Sequence, residues 1–177
     1  METHAGAGKI WSYCYAGIED GVAFEKNPAK ADILARQRPS WAVYECDVVA
    51  AVGLGARSHL PVNVLDIDPY GEPWPVIDAF FTSARPWPSP LAIVVNDGLR
   101  QKLKMGGGWT TGSMAEVVCR VGNAALYDDY LAICRTLLEE KAGSVGYRLD
   151  HWAGRYTGHA QQMTHYAGIF SRVGGLT

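Results

Sequence analysis

Four times along this chain an apolar run of strand length closes on an acidic or amide side chain and then gives way to a turn. Residues 21–26 pass through Val22, Ala23 and Phe24 to Glu25, and residues 41–47 pass from Trp41 to Asp47. Residues 62–68 run from Val62 to Asp66 and Asp68, and residues 91–97 from Leu91 to Asn96 and Asp97. Such β-branched and aromatic runs read as strands that end in polar loops. Helical segments fit between them. Asn27 suits an N-cap and Pro28 a first helical position, so a helix is predicted through Gln37. Residues 48–52 are helix-compatible until Gly53 and Gly55, while Val76, Ile77, Phe80 and Phe81 fall on one helical face. Alternation of this kind predicts an α/β protein, a mostly parallel sheet with helices on both faces.

Past the glycines at 106–108, read as a flexible joint, the period changes. Leu126, Tyr130, Leu131, Cys134, Leu137 and Leu138 follow one helical stripe, with Lys141 in its last turn and Gly143 as its expected C-cap. Residues 147–156 and 164–172 are aromatic and β-branched, and read as two final strands joined by a short loop. The 177 residues, 48% of them hydrophobic, suffice for one domain spanning 1–177 and are too few for two ordinary ones. A net charge of −2 announces no global field for nucleic acid, although a local patch remains open. Cys14, Cys46, Cys119 and Cys134 are widely spaced, without a CxxC pair or a histidine at metal spacing. They are expected to be reduced core thiols, with no metal. The N-terminus has no basic-then-apolar leader and no window reaches membrane length, so a cytoplasmic protein without a membrane partner is expected.

Ligands of open α/β sheets bind at the carboxyl ends of the strands, which directs attention to the strand tips. Residues 2–8 form an acid followed by a glycine-rich loop, from Glu2 through His4 to Gly6 and Gly8. Glu25 either accepts hydrogen bonds from ribose hydroxyls or favours the dipole of the following helix. Residues 66–71 read Asp-Ile-Asp-Pro-Tyr-Gly, a strand end running into a rigid polar turn. Asn96 and Asp97 are equally consistent with a site and with a turn. Trp74 and Trp87 read as packing residues, with Trp74 close enough to line a pocket. Arg100, Lys102 and Lys104 read as a solvated face, and His151, His159 and His165 as polar edges.

An acid-plus-glycine loop, acids ending the second and third strands, and Asp-Pro-Tyr ending the fourth together resemble the class I S-adenosylmethionine-dependent methyltransferases, over nearly the whole chain. The resemblance implies a Rossmann-like sheet with an antiparallel strand pair at its C-terminal edge, and S-adenosylmethionine as cofactor. It implies that Glu2, Gly6 and Gly8, with His4 in the same loop, pass the methionine part, that Glu25 holds the ribose and that Asp47 lies near the adenine. Asp68, Pro69 and Tyr70 look like a shortened Asp/Asn-Pro-Pro-Tyr motif of base amino-methyltransferases. The run from Asp66 to Gly71 is similar to the motif of tRNA guanine-N2 methyltransferases.

An exocyclic amine on an aromatic base is a poor nucleophile because its lone pair is delocalised. A carboxylate and a carbonyl accepting its hydrogens favour attack on the sulfonium methyl, while Tyr70 stacks on the base. Asp68 is therefore the expected acceptor, with Asp66 either supporting it or touching the cofactor. The expected substrate is a nucleic acid, tRNA first. The alternatives are a protein or small-metabolite acceptor, or a cofactor-binding subunit without activity. The family's first apolar strand has only Met1 to represent it, so that strand is expected to be missing and its slot filled by a partner subunit or an upstream extension, and the substrate is expected to be reached through a partner, a homo-oligomer or a local patch.

Overall fold

Each acid-tipped run forms a strand, and the strands assemble into one seven-stranded sheet. The computed structural model describes residues 1–69, 71–105 and 112–174. The strands are β1 (Glu2–Thr3), β2 (Val22–Glu25), β3 (Ala42–Glu45), β4 (Val64–Ile67), β5 (Leu91–Asp97), β6 (Tyr147–Thr157) and β7 (Met163–Arg172). Their order is β3-β2-β1-β4-β5-β7-β6. The first five run parallel, whereas β7 pairs antiparallel with both β5 and β6. The mixed sheet with an antiparallel pair at its C-terminal edge is the expected α/β architecture. No described helix is long and apolar enough to cross a membrane.

The connections are helical for local reasons. In α1 (Pro28–Gln37) the Asn27 side chain accepts from Lys30 N at 3.1 Å, and Pro28 opens the first turn. In α2 (Val48–Gly53) Asp47 Oδ1 accepts from Ala50 N at 3.1 Å. The apolar face of α3 (Trp74–Thr82) buries Val76, Ile77, Phe80 and Phe81 as its spacing predicts. Short α4 (Leu99–Lys104) precedes α5 (Gly112–Asp128) and α6 (Tyr130–Ser144). The stripe from Leu126 to Leu138 is divided between α5 and α6, and α5 is itself broken at Gly122, whose φ of 79° leaves the helical region. The chain leaves α6 through Gly146 at φ 81°, one turn later than the expected cap at Gly143.

The first strand is present. Glu2 and Thr3 pair with Ala23 and Phe24 on one side and with Asp66 and Ile67 on the other. Met1 extends the pairing, since its amine donates to Val64 O at 2.7 Å and its carbonyl accepts from Asp66 N at 2.9 Å. Two residues and one flanking carbonyl thus satisfy the neighbours where a gap was expected. Two further expectations are corrected. Only Cys134 is buried, with Cys46 intermediate and Cys14 and Cys119 exposed. Arg100 lies between the rings of Tyr127 and Tyr156, at 3.9 and 4.1 Å from their centroids, and donates to Gln161 O at 2.6 Å, so it is packed rather than solvated. The expected joint at 106–108 lies outside the described residues.

Strand alternation divides the side chains between two cores. Val22, Phe24, Leu65, Ile67, Leu91, Ile93 and Val95 face α2, α3, α5 and α6. Ala23, Leu34 and Trp41, with Ala5, form the smaller core under α1. The α1 face is covered only over part of the sheet. Across β5 and β7, beside Ile10, Cys14 and Tyr15, Val94 is 37% and Ile169 42% exposed among the described residues.

Candidate functional site

The parallel register sets the strand tips side by side. Glu25 aligns with Glu45, and Asn96 with His165, which in turn faces Arg155. His4 and Asp68 lie one residue beyond the paired positions Thr3 and Ile67, between Glu25 and Asn96. One row of polar side chains therefore crosses the sheet: Glu45, Glu25, His4, Asp68, Asn96, His165, Arg155. Cofactor and acceptor candidates occupy neighbouring strands because they share this level.

At its acidic end the row is organised by backbone amides. Glu25 Oε2 accepts from Gly6 N at 2.8 Å and Oε1 from Asn27 N at 2.7 Å, which ties the β2 tip to the glycine loop. That loop turns through left-handed conformations at His4 (φ 59°), Gly6 (57°) and Gly8 (82°). A Cβ at Gly6 would meet nothing within 4 Å, so this backbone faces open space. A Cβ at Gly8 would come within 2.9 Å of Leu34, so that glycine serves the packing of α1. His4 holds a conformation that glycine adopts at no steric cost, and its Nδ1 lies 3.3 Å from Thr3 Oγ1. Burial lowers its pKa, opposed by the charges of Glu25, Asp68 and Asp47. Asp47 caps α2 and meets Lys26 at 3.4 Å; the Ala50 N–H chiefly holds its carboxyl below the usual range.

In the middle of the row Asp68 Oδ1 accepts from Asn96 Nδ2 at 2.5 Å. Asn96 Oδ1 is buried without a hydrogen-bond partner among the described residues. The loop after β4 is held in place by its neighbours. Gly71 N donates to Pro69 O at 2.8 Å, and Gly98 N donates to Gly71 O at 2.8 Å. A Cβ on Gly98 would come within 3.3 Å of Gly71 Cα, so the two strand-end loops touch through backbone. Tyr70 lies outside the described residues.

Glu2 and Asp66 sit one step deeper, aligned in register beneath the row. Glu2 makes an ion pair with Arg38 at 2.6 Å, both fully buried or nearly so. Asp66 Oδ2 accepts from Tyr15 Oη at 2.6 Å, where Tyr15 ends the π-helical turn Trp11–Tyr15. Desolvation raises both carboxyl pKa values, offset in part by Arg38 for Glu2 and by the Tyr15 hydroxyl for Asp66. The turn of alternation also separates Asn96 from Asp97. The latter points into the larger core, accepting from Leu99 N at 2.8 Å, Tyr130 Oη at 2.7 Å and Tyr166 Oη at 3.1 Å. Trp74 is wholly buried and Trp87 stacks on Phe81, both as packing residues.

Sequence reasoning did not join Asn96 to Asp68, Tyr15 to Asp66, or His165 and Arg155 to the site. Alternation within β5 could have separated Asn96 from Asp97. The other pairings depend on register, which has no local signal.

The strand order, the glycine turn at the first strand and the acid at the second define the methyltransferase type of α/β fold. No family model matches the chain, and no curated protein matches it. Solved structures do. The plantazolicin methyltransferase BpumL, solved with SAH and a pentazolic desmethylPZN analog, aligns at 11% identity and a TM-score of 0.57, over 97% of this chain and 76% of its own. TYW2 from M. jannaschii, solved with AdoMet, aligns at 14% identity and 0.55, over 97% and 68%. A putative RNA methyltransferase from Pyrococcus horikoshii aligns at 13% identity and 0.53, over 99% and 73%. At these identities the likeness is one of fold.

Proposed function

We propose that this protein is an S-adenosylmethionine-dependent methyltransferase that modifies an exocyclic amine of a nucleic-acid base, with tRNA the first substrate to test. The observation that carries the reading is the Asp68–Asn96 hydrogen bond one strand from His4 and two from Glu25, at a single level of the sheet. The cofactor's neighbours fit it. Gly6 faces open space at positive φ, and each Glu25 oxygen, having accepted one amide, keeps a lone pair for a ribose hydroxyl. Gly6 and Gly8 would pass the methionine part and Asp47 would lie toward the adenine, with Glu2 bracing the loop from below through Arg38.

The bound cofactor supplies the electrophilic methyl group. Asp68 Oδ2 accepts a hydrogen of the acceptor amine and holds the nitrogen lone pair toward the methyl, while Asn96 fixes the carboxylate through Oδ1. Pro69 O accepts a second hydrogen alongside its bond from Gly71 N. Asp66, two residues before Asp68 on the same face of β4, is hydrogen-bonded to Tyr15 and supports the strand from beneath. Structural neighbours that carry SAH or AdoMet on the same fold favour this cofactor.

Transfer of labelled methyl groups from S-adenosylmethionine into bulk tRNA, DNA or protein tests the reading. Transfer into tRNA that falls roughly 100-fold or more in Asp68→Ala is expected. Equal transfer by wild type and Asp68→Ala overturns the catalytic assignment. Transfer into protein alone moves the acceptor to a polypeptide, and no transfer into any of the three with SAH binding intact leaves a small-metabolite acceptor or a cofactor-binding subunit.

A further inference from the structure

The first strand ends in a side chain that its own backbone conformation opposes. His4 holds φ 59°, a left-handed conformation that glycine enters freely and that a β-carbon disfavours. An outlier of this kind points to a use for the side chain. Backbone hydrogen bonds fix its place in the sheet. Asp68 N donates to Thr3 O at 3.5 Å on one side, and Ala5 N donates to Phe24 O at 3.0 Å on the other. His4 therefore stands between the tips of β4 and β2. At a strand spacing of about 4.8 Å it is the immediate neighbour of Asp68.

The tautomer of the ring follows from one hydroxyl. Thr3 is fully buried, and its single side-chain hydrogen goes to Asp66 O at 3.2 Å. Toward His4 Nδ1, 3.3 Å away, Thr3 Oγ1 can then only accept, which puts the ring hydrogen on Nδ1. Nε2 carries a lone pair. It has no hydrogen-bond partner among the described residues and is not one of the buried unpartnered atoms, so on this half-buried residue it opens to solvent. Burial holds the ring pKa below its ordinary value, which leaves the ring neutral at pH 7. Glu25 from β2, Asp68 from β4 and Asp47 at the start of α2 act in the opposite sense and stabilise the ring once it is protonated. Lys26 is tied to Asp47 at 3.4 Å. The other polar groups of the row are committed: Glu25 takes two backbone amides, Asp68 Oδ1 and Asn96 hold each other, and His165 is two strands from β4.

Resting on the function proposed above, we infer that His4 Nε2 is the final acceptor of the proton released in methyl transfer. The acceptor nitrogen forms its bond to the methyl carbon as the methyl–sulfur bond breaks and that electron pair stays on sulfur. The nitrogen is then positively charged and gives up one hydrogen as a proton. Asp68 Oδ2, which already accepts that hydrogen, receives it and passes it to Nε2 of the neighbouring ring. Imidazole is the stronger base than a carboxylate by about 2.6 units in ordinary surroundings, so the proton moves in that direction. The products are a neutral methylated amine, the ionised Asp68 and an imidazolium beside it, which later loses its proton to solvent.

His4→Asn tests this on the full chain, because asparagine tolerates the left-handed conformation and keeps a donor for Thr3 while removing the base. Single-turnover transfer of labelled methyl groups into the acceptor that wild type modifies is expected to fall roughly 100-fold, with SAH affinity retained. The wild-type rate should fall as pH drops below about 6.5 and the ring gains its proton, and His4→Asn should lack that acid limb. Free imidazole should restore transfer in His4→Gly and not in Asp68→Ala. Transfer undiminished in His4→Asn, or diminished only as far as SAH affinity falls, overturns the inference and leaves the methyltransferase reading standing. Nitrogen NMR shifts of the His4 ring test the placement without turnover. A protonated Nδ1 with a bare Nε2 is expected, and a ring pKa lower still in Asp68→Asn; the reverse tautomer overturns the inference whatever the activity. A wild type with the expected tautomer that transfers no methyl group to any acceptor refutes the methyltransferase reading, and the proton transfer with it.

Discussion

Two adjacent residues, Asn96 and Asp97, show how much one step along a strand decides. Asn96 points to the open face and meets Asp68, and its loss should reduce methyl transfer while leaving SAH affinity intact. Steady-state kinetics on Asn96→Ala, with calorimetric SAH titration beside them, check this; an unchanged turnover removes it from the site. Asp97 points the other way and is fully buried, its pKa pushed up to about 7 by desolvation against three hydrogen bonds. Because the folded value exceeds the unfolded one, the native state binds more protons between about pH 4 and pH 7. Stability from this group is present below the unfolded pKa and lost as pH rises through 7. Denaturant midpoints across that window should fall in wild type and lose this component in Asp97→Asn. Tyr130→Phe, which takes one donor from the same carboxyl, should cost about 1–3 kcal/mol near neutral pH.

At the scale of elements, the shortest strand has the most dependants. Two residues of β1 close the gap between β2 and β4, and Glu2 within it meets Arg38 at the end of α1. The strand is thus joined to its sheet neighbours by backbone and to the helix above by a buried charge pair. Replacing Glu2 by alanine removes the carboxylate from a fully buried guanidinium, and should cost about 3–5 kcal/mol by urea denaturation. A change below about 1 kcal/mol would mean that Arg38 does not depend on this partner. The hairpin of β6 and β7 closes the other end of the sheet and supplies His165 and Arg155 to the row of tips.

Across the whole molecule the sheet is asymmetric. One face is packed against α2, α3, α5 and α6, while among the described residues the other carries α1 over β2 and β3 and leaves Val94 and Ile169 partly exposed on β5 and β7. A ligand held by the glycine loop and Glu25 joins β1 to β2, and should stabilise the fold as a unit. SAH at a hundred times its dissociation constant is expected to add about 2.7 kcal/mol to unfolding, read as a rise in melting temperature. Glu25→Ala should abolish the rise, and an undiminished shift would move the cofactor elsewhere. The α/β class, the capped helix after Asn27, the acids at the strand tips and the closing strand pair were legible in the sequence. Each is written in local periodicity or in a residue whose preference is local, as with Pro28 and Asn27. The two-residue β1, the burial of Arg100, the opposed fates of Asn96 and Asp97 and the union of His165 and Arg155 with Asp68 were decided by tertiary structure alone. They depend on register and on which face a helix covers, and those are set by pairing between segments far apart in the chain.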